Sequence, residues 1–366
     1  MNRRQLIALP GAVAAGSVVG GRTASAASSA RALMKLGATG SAYDEAELKR
    51  LLRYGVKDIV ASPRIPSDRL YATAEELKQM RDLPDRLGVS IGVLTPPFLA
   101  SSHIDREKHP AIMLGSSPER DRDIEAMQTL IRNCAAVGIP SIKYNMSILG
   151  VLRNLRGVQG RGDSQYGGWR LKDAKADPPL TRAGRVTEQI FWERITYFLE
   201  RVIPVAEEHK IRMACHPQDP GVGPEGYQGV NRVLGTVDGL KKFISIKESP
   251  YHGLNFCQGT VSENLKNPAT EILDVIRYFG SRKKIFNVHF RNIRGHRDDF
   301  LEVWPDEGDV DMLAAMKVYK EVGYSHIIHP DHVPPSSASD PSARLSGEAF
   351  HFGYIRGLIQ AVDRAA

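Results

Sequence analysis

Cysteine is scarce in this chain of 366 residues: only Cys134, Cys215 and Cys257 occur. Three thiols cannot staple a small secreted scaffold, so a disulfide framework is excluded. Strongly apolar runs are missing too. The stretch from Leu6 to Gly21 is dilute in leucine and, at about 16 residues, too short and weak for a membrane span. No basic run interleaves with aromatic residues, so nucleic acid is a poor partner. A phosphate-binding glycine loop is also lacking, since Gly37-Ala38-Thr39-Gly40 is a poor version of that motif. The formal charge is +7, of which Arg3, Arg4 and Arg22 carry three, leaving four spread along the chain.

What is present begins with an export pattern. Arg3-Arg4 opens the chain without an acid, an apolar Gly/Ala-rich run follows, and Ala24-Ser25-Ala26 supplies a small-residue cleavage signal. The Arg pair points to the twin-arginine route, with residues 1–26 as the signal, cleavage near Ala26 and a periplasmic or secreted product. In an oxidising compartment a thiol is a liability unless it is buried or metal-bound. Cys134 sits among apolar residues in a helical pattern, so burial is expected for it.

Beyond the signal, strand-like and amphipathic stretches alternate. Strand-like runs are Ala32–Leu36, Val56–Val60, Val89–Leu94, Pro140–Asn145, Ile211–Cys215, Leu254–Phe256, Ile285–Val288 and His326–Ile328. Helical patterns separate them, and a polar, Gly-rich stretch from about residue 149 to 185 is inserted after the fourth. Eight strands each followed by a helix read as an α/β fold, a (β/α)8 TIM barrel forming one domain over residues 30–366. Gly55, Gly88, Gly138, Gly280 and Gly323 fall just after helical segments, where a C-terminal cap belongs.

In such a barrel, chemistry sits where strands end and the following loops begin. The fifth strand runs into His216, the sixth into Cys257, the seventh into His289, and the eighth into His329-Pro330-Asp331-His332. Each residue alone has an ordinary reading: a satisfied polar group, a small buried hydrophobe, a helix cap. Together, at four consecutive strand ends, they predict one shared cation bound by His216, Cys257, His289 and Asp331. Two imidazoles, a thiolate and a carboxylate suit Mn2+, Fe2+, Co2+ or Zn2+ and not Ca2+. Arg291 follows His289 by two and should face the same side, where a guanidinium suits a substrate carboxylate. His332 is the candidate proton carrier. Asn292, Asn145 and His296 are weaker candidates, and Cys215 should face the helix layer.

At these residues the chain resembles the mannonate dehydratase family, of the xylose isomerase-like barrels. The matching pieces are Tyr144-Asn145, His216-Pro217-Gln218-Asp219-Pro220, Gly253 to Gly259 around Cys257, His289-Phe290-Arg291-Asn292, Gly308 to Met312 and Pro330-Asp331-His332. The resemblance implies a hydro-lyase that uses Mn2+ or Fe2+ to convert D-mannonate to 2-keto-3-deoxy-D-gluconate. It places the metal on His216, Cys257, His289 and Asp331, with Arg291 and His332 in the substrate site and Asn145 and Asn292 beside them. It departs at three places, one of them the rewritten insert after the fourth strand. The first strand reads Met34-Lys35-Leu36-Gly37 where the family has an Arg and an aromatic residue, and Ser346-Gly347 falls where the family has a catalytic Tyr. The expected partners are a small sugar acid and the twin-arginine export machinery, with a homo-oligomer compatible. Two other functions fit the same residues: a metal-dependent sugar isomerase or epimerase, and a non-catalytic exported sugar-acid binder.

Overall fold

The computed structural model describes residues 31–335 and 342–364, so the export signal expected at 1–26 lies outside it. Eight parallel strands close into a barrel: β1 (Lys35–Thr39), β2 (Asp58–Ala61), β3 (Ser90–Leu94), β4 (Ser141–Asn145), β7 (Arg212–His216), β8 (His252–Cys257), β9 (Ile285–His289) and β12 (Ile327–His329). Each hydrogen-bonds to the next in chain order, and β12 closes onto β1. The α-helices among the described residues are α1 (Glu45–Arg53), α2 (Ala74–Leu87), α3 (Ala111–Leu114), α4 (Glu119–Ala136), α5 (Glu188–Glu208), α6 (Val237–Ser245), α7 (Gln258–Ser262), α8 (Pro268–Ser281), α9 (Met312–Glu321) and α10 (Ala343–Arg364). None of them is long and apolar enough to cross a membrane.

Local chemistry sets the helix boundaries. The Thr73 hydroxyl accepts from the Glu76 backbone N–H, and the Glu76 carboxylate accepts in return from the Thr73 N–H. That reciprocal cap starts α2 and contributes about 1 kcal/mol. At the other end Gly88 has φ of 71°, a conformation that only glycine adopts without strain. Gly280 is not a cap. It lies inside α8, and a Cβ there would come within 2.5 Å of the Val322 side chain. Close helix packing, not a turn, requires that glycine.

The core lies between the barrel and its helices. On α5, Phe191, Ile195, Phe198 and Val202 form a buried stripe spaced three to four residues apart. Each such side chain contributes roughly 1.5–3 kcal/mol by leaving water. Cys134 is buried in the same layer, as is Cys215. Inside the barrel, Val60, Val93 and Ile327 pack together. Ile327 fills the space beside Gly37 and Gly92, where any Cβ would lie 2.3–2.5 Å from its side-chain atoms. This corrects the expected first strand. It runs three residues later than Ala32–Leu36, because Gly37 is part of the strand and not its end.

The insertion after β4 is ordered. Strands β5 (Leu155–Gln159) and β6 (Gln165–Arg170) form a hairpin, and β6 pairs with a second hairpin, β10 (Ile293–His296) and β11 (Asp299–Glu302). The resulting four-stranded antiparallel sheet has its own apolar centre in Trp169, Ile293 and Phe300. The β10–β11 hairpin follows β9 directly, so the sheet is tied to the rim where the candidate ligands stand.

Candidate metal centre

Strand register brings the rim residues together. Asn145 pairs with His216 across β4 and β7, and Cys257 with His289 across β8 and β9; His289 in turn pairs with His329 on β12. Asp331 lies two residues beyond His329. One donor atom each from His216, Cys257, His289 and Asp331 falls within 4.8 Å of the other three. The His216 and His289 rings are 5.1 Å apart. Below them the barrel holds a polar layer, in which the Asn287 amide donates to His329 Nε2 (3.1 Å) and to Asn255 Oδ1 (2.5 Å).

The donors are prepared for a cation. His216 Nδ1 donates to the Pro217 carbonyl (2.6 Å), which leaves the Nε2 lone pair free to bind. Burial, with His289 and Lys143 nearby, holds His216 well below its ordinary pKa, and burial also lowers His289. Both rings are therefore neutral, as ligands must be. His289 Nδ1 is buried and 3.2 Å from Asp331 Oδ1, yet makes no hydrogen bond. Burial works to raise Asp331, but His332, His289 and Arg291 outweigh it and keep the carboxylate ionised. Burial and then Asp331 push the Cys257 thiol up, and the thiol donates to Asp331 Oδ2 at 3.3 Å. A divalent cation is the group that would turn this thiol into a thiolate ligand.

Around the shell lies an ion network that the sequence did not reveal. Asp219, Glu263 and Glu302 also bring carboxylate oxygens within 4.8 Å of one another. Their cations are already in place. Arg153, from the insertion, reaches Asp219 (2.6 Å), Glu263 (3.2 Å) and Glu302 (2.6 Å). Arg291 reaches the same three at 3.0, 2.6 and 2.5 Å. Two guanidinium groups thus occupy the place a metal would take, and the His–Cys–His–Asp cluster is the one suited to a divalent ion. Burial raises Glu263 to about 8 despite the arginines.

The comparisons with known proteins identify the family. The sequence model of the D-mannonate dehydratase (UxuA) family matches residues 165–366, more than half of the chain. A mannonate dehydratase of Shouchella clausii is 30% identical over 291 residues, covering 70% of this chain and 76% of that protein. This chain belongs to the mannonate dehydratase family. The mannonate dehydratase of Thermotoga petrophila is 28% identical over 365 residues, covering 89% of this chain and 96% of its own. The crystal structure of mannonate dehydratase from Streptococcus suis serotype 2 superposes with a TM-score of 0.76 at 25% identity, over 91% of this chain and 95% of that one.

Within the mannonate dehydratase barrel the remaining candidates separate. His332 stands at the mouth with its side chain 39% exposed, and its Nδ1 meets Glu302 Oε1 at 2.5 Å. Asp331 above all, and Glu302 after it, raise its pKa to about 9 against the effect of burial. Asn145 lines the same recess as His216, His289, Asp331 and His332. Arg291 needs correction as a substrate group. It is 3% exposed, and besides the three carboxylates its guanidinium faces Asp331 Oδ2 (3.1 Å), Thr260 Oγ1 (2.9 Å) and Cys257 Sγ (3.6 Å). Both terminal nitrogens are engaged within the protein and Nε is buried against Asp331 without a hydrogen bond, so Arg291 positions Asp331 and Cys257. Asn292 is likewise corrected. Its amide donates to the Pro305 and Val310 carbonyls and accepts from the Ile293 and Val310 N–H groups, which fixes a loop away from the cavity. His296 is exposed on β10, and Ser346 lines a separate cavity with Trp304 and Phe350.

One cavity residue was missed. Lys143 on β4 lines both the recess beneath the insertion and a cavity of about 560 Å³ over the ends of β1–β3, and both also contain His289 and Asp331. Strand alternation could have revealed it, because Lys143 and Asn145 are two apart and face the same way.

Proposed function

We propose that the protein is a hydro-lyase that converts D-mannonate, or a close aldonate analogue, to 2-keto-3-deoxy-D-gluconate. The observation that carries this reading is the convergent His216, Cys257, His289 and Asp331 set in a chain of the mannonate dehydratase family. Mn2+ or Fe2+ fits the mixed nitrogen, sulfur and oxygen donors. A cation held there would draw electron density from the substrate carboxylate and lower the cost of removing the proton on the adjacent carbon.

The protein's own groups would do the proton work. Glu302 holds His332 in the tautomer with the proton on Nδ1, leaving Nε2 on the side of Asp331, 3.9 Å from its Oδ1. Nε2 can take the proton from the carbon next to the carboxylate. The imidazolium then returns it to the hydroxyl leaving the neighbouring carbon. One C–H and one C–O bond break, water departs, and the enol left behind becomes the 2-keto acid. Charge on a cation at Asp331 would offset the main cause of the raised His332 pKa and bring it towards the range where one group serves as base and acid. On this reading His332 is the proton carrier of the reaction.

Metal-replete protein incubated with D-mannonate should yield a 2-keto-3-deoxy acid one water lighter than the substrate. Product of unchanged mass would indicate an isomerase or epimerase instead, and binding without turnover a sugar-acid receptor. The Arg3-Arg4 pattern supports a second part of the reading, export by the twin-arginine route. Changing Arg3→Lys and Arg4→Lys together should retain the uncleaved precursor inside the cell; unaltered processing would remove that part alone.

A further inference from the structure

A sugar acid needs an N–H donor or a cation for its carboxylate, and Arg291 is buried, with both terminal nitrogens engaged within the protein. Two other cations line the cavity that opens onto His289 and Asp331: Lys143 on its inner wall and Arg64 at the outer rim. Arg64 stacks over the Tyr43 ring at 4.2 Å, which holds it near the rim. The Lys143 ammonium donates to Asn145 Oδ1 (2.9 Å) and makes no other hydrogen bond or ion pair among the described residues. A lysine that served only to stabilise the barrel would be expected to sit against a carboxylate. Asp331, the carboxylate of that cavity, instead faces His289, Arg291 and Cys257. Lys143 thus has spare donors, and they stand where a substrate must enter.

We propose that Lys143 is the residue that selects an acid over a neutral polyol, receiving the substrate carboxylate on the β1–β4 side of the centre, with Arg64 as the outer cation. This rests on the reading of the protein as a sugar-acid enzyme, but its test does not require turnover. Calorimetry on the metal-loaded His332→Asn chain, which should not consume substrate, compares D-mannonate with D-mannitol; the two differ only at the carboxylate carbon. Lys143→Met in that background should weaken D-mannonate binding about 10- to 100-fold and leave D-mannitol and the metal content unchanged. Arg64→Met should cause a smaller loss of the same kind. An undiminished preference for the acid in Lys143→Met overturns the proposal. Should that variant fail to hold metal, Lys143→Arg carries the test: a retained preference supports the proposal and a lost one overturns it. Turnover is measured separately on the chain with His332 intact. A Lys143-dependent preference without any dehydration would sink the hydro-lyase reading and leave this one standing.

Discussion

His332 and Glu302 form the pair on which the proposed chemistry turns, since a 2.5 Å contact to Nδ1 fixes the imidazole with Nε2 on the side of Asp331. Replacing His332 with Asn should lower kcat by about 10²- to 10⁴-fold while metal stoichiometry stays at wild type. Activity within a few fold of wild type would assign the proton to another group. A second histidine controls acid sensitivity away from the centre. His252 is fully buried and its Nε2–H donates to the Phe243 carbonyl (2.8 Å). Burial lowers its pKa from 6.5 to about 4. Between those values the unfolded chain takes up a proton that the folded chain refuses. The stabilisation is therefore complete above pH 6.5 and is lost as pH falls towards 4, by up to about 3 kcal/mol. Urea titrations from pH 7 to 4.5 should show a shallower loss of stability in His252→Gln; parallel curves would clear His252 of that role.

At the scale of elements, the network linking the insertion to the rim is the feature whose loss should be felt most. Arg153 precedes the β5–β6 hairpin, Glu302 ends β11, and Asp219, Glu263 and Arg291 belong to the barrel loops. Arg153→Met would leave Asp219, Glu263 and Glu302, two of them buried, with one guanidinium and should cost about 3–5 kcal/mol, read as the denaturation midpoint with the metal bound. A cost below about 1 kcal/mol would mean that the pairs behave as surface salt bridges. This network also marks where sequence reading stopped. The eight strands were legible because apolar runs and amphipathic helical patterns alternate, and the four rim donors because each stands at a strand end or within two residues of it. Arg153, Glu263 and Glu302 carry no such mark, since their meeting depends on two hairpins 149 residues apart in the case of Arg153 and Glu302. Arg291 was placed at the right strand end, but that position does not show that three carboxylates take up its donors. Lys143 was hidden inside a strand, and only its parity with Asn145 pointed inward.

For the molecule as a whole, the barrel supplies a rigid ring of strand ends, the helices bury the apolar layer outside it, and the four-stranded sheet braces one side of the mouth. Two acidic or mixed clusters lie at that mouth, and charge balance tells them apart. Asp219, Glu263 and Glu302 are each bridged by both Arg153 and Arg291, whereas the donor atoms of His216, Cys257, His289 and Asp331 converge with Arg291 alongside, 3.1 Å from Asp331 Oδ2. The most direct test is an anomalous difference map at the manganese edge from crystals of the Mn2+-loaded protein. The account predicts one strong peak about 2–2.5 Å from a donor atom of each of those four residues. A peak among Asp219, Glu263 and Glu302, or none at the barrel mouth, would contradict it.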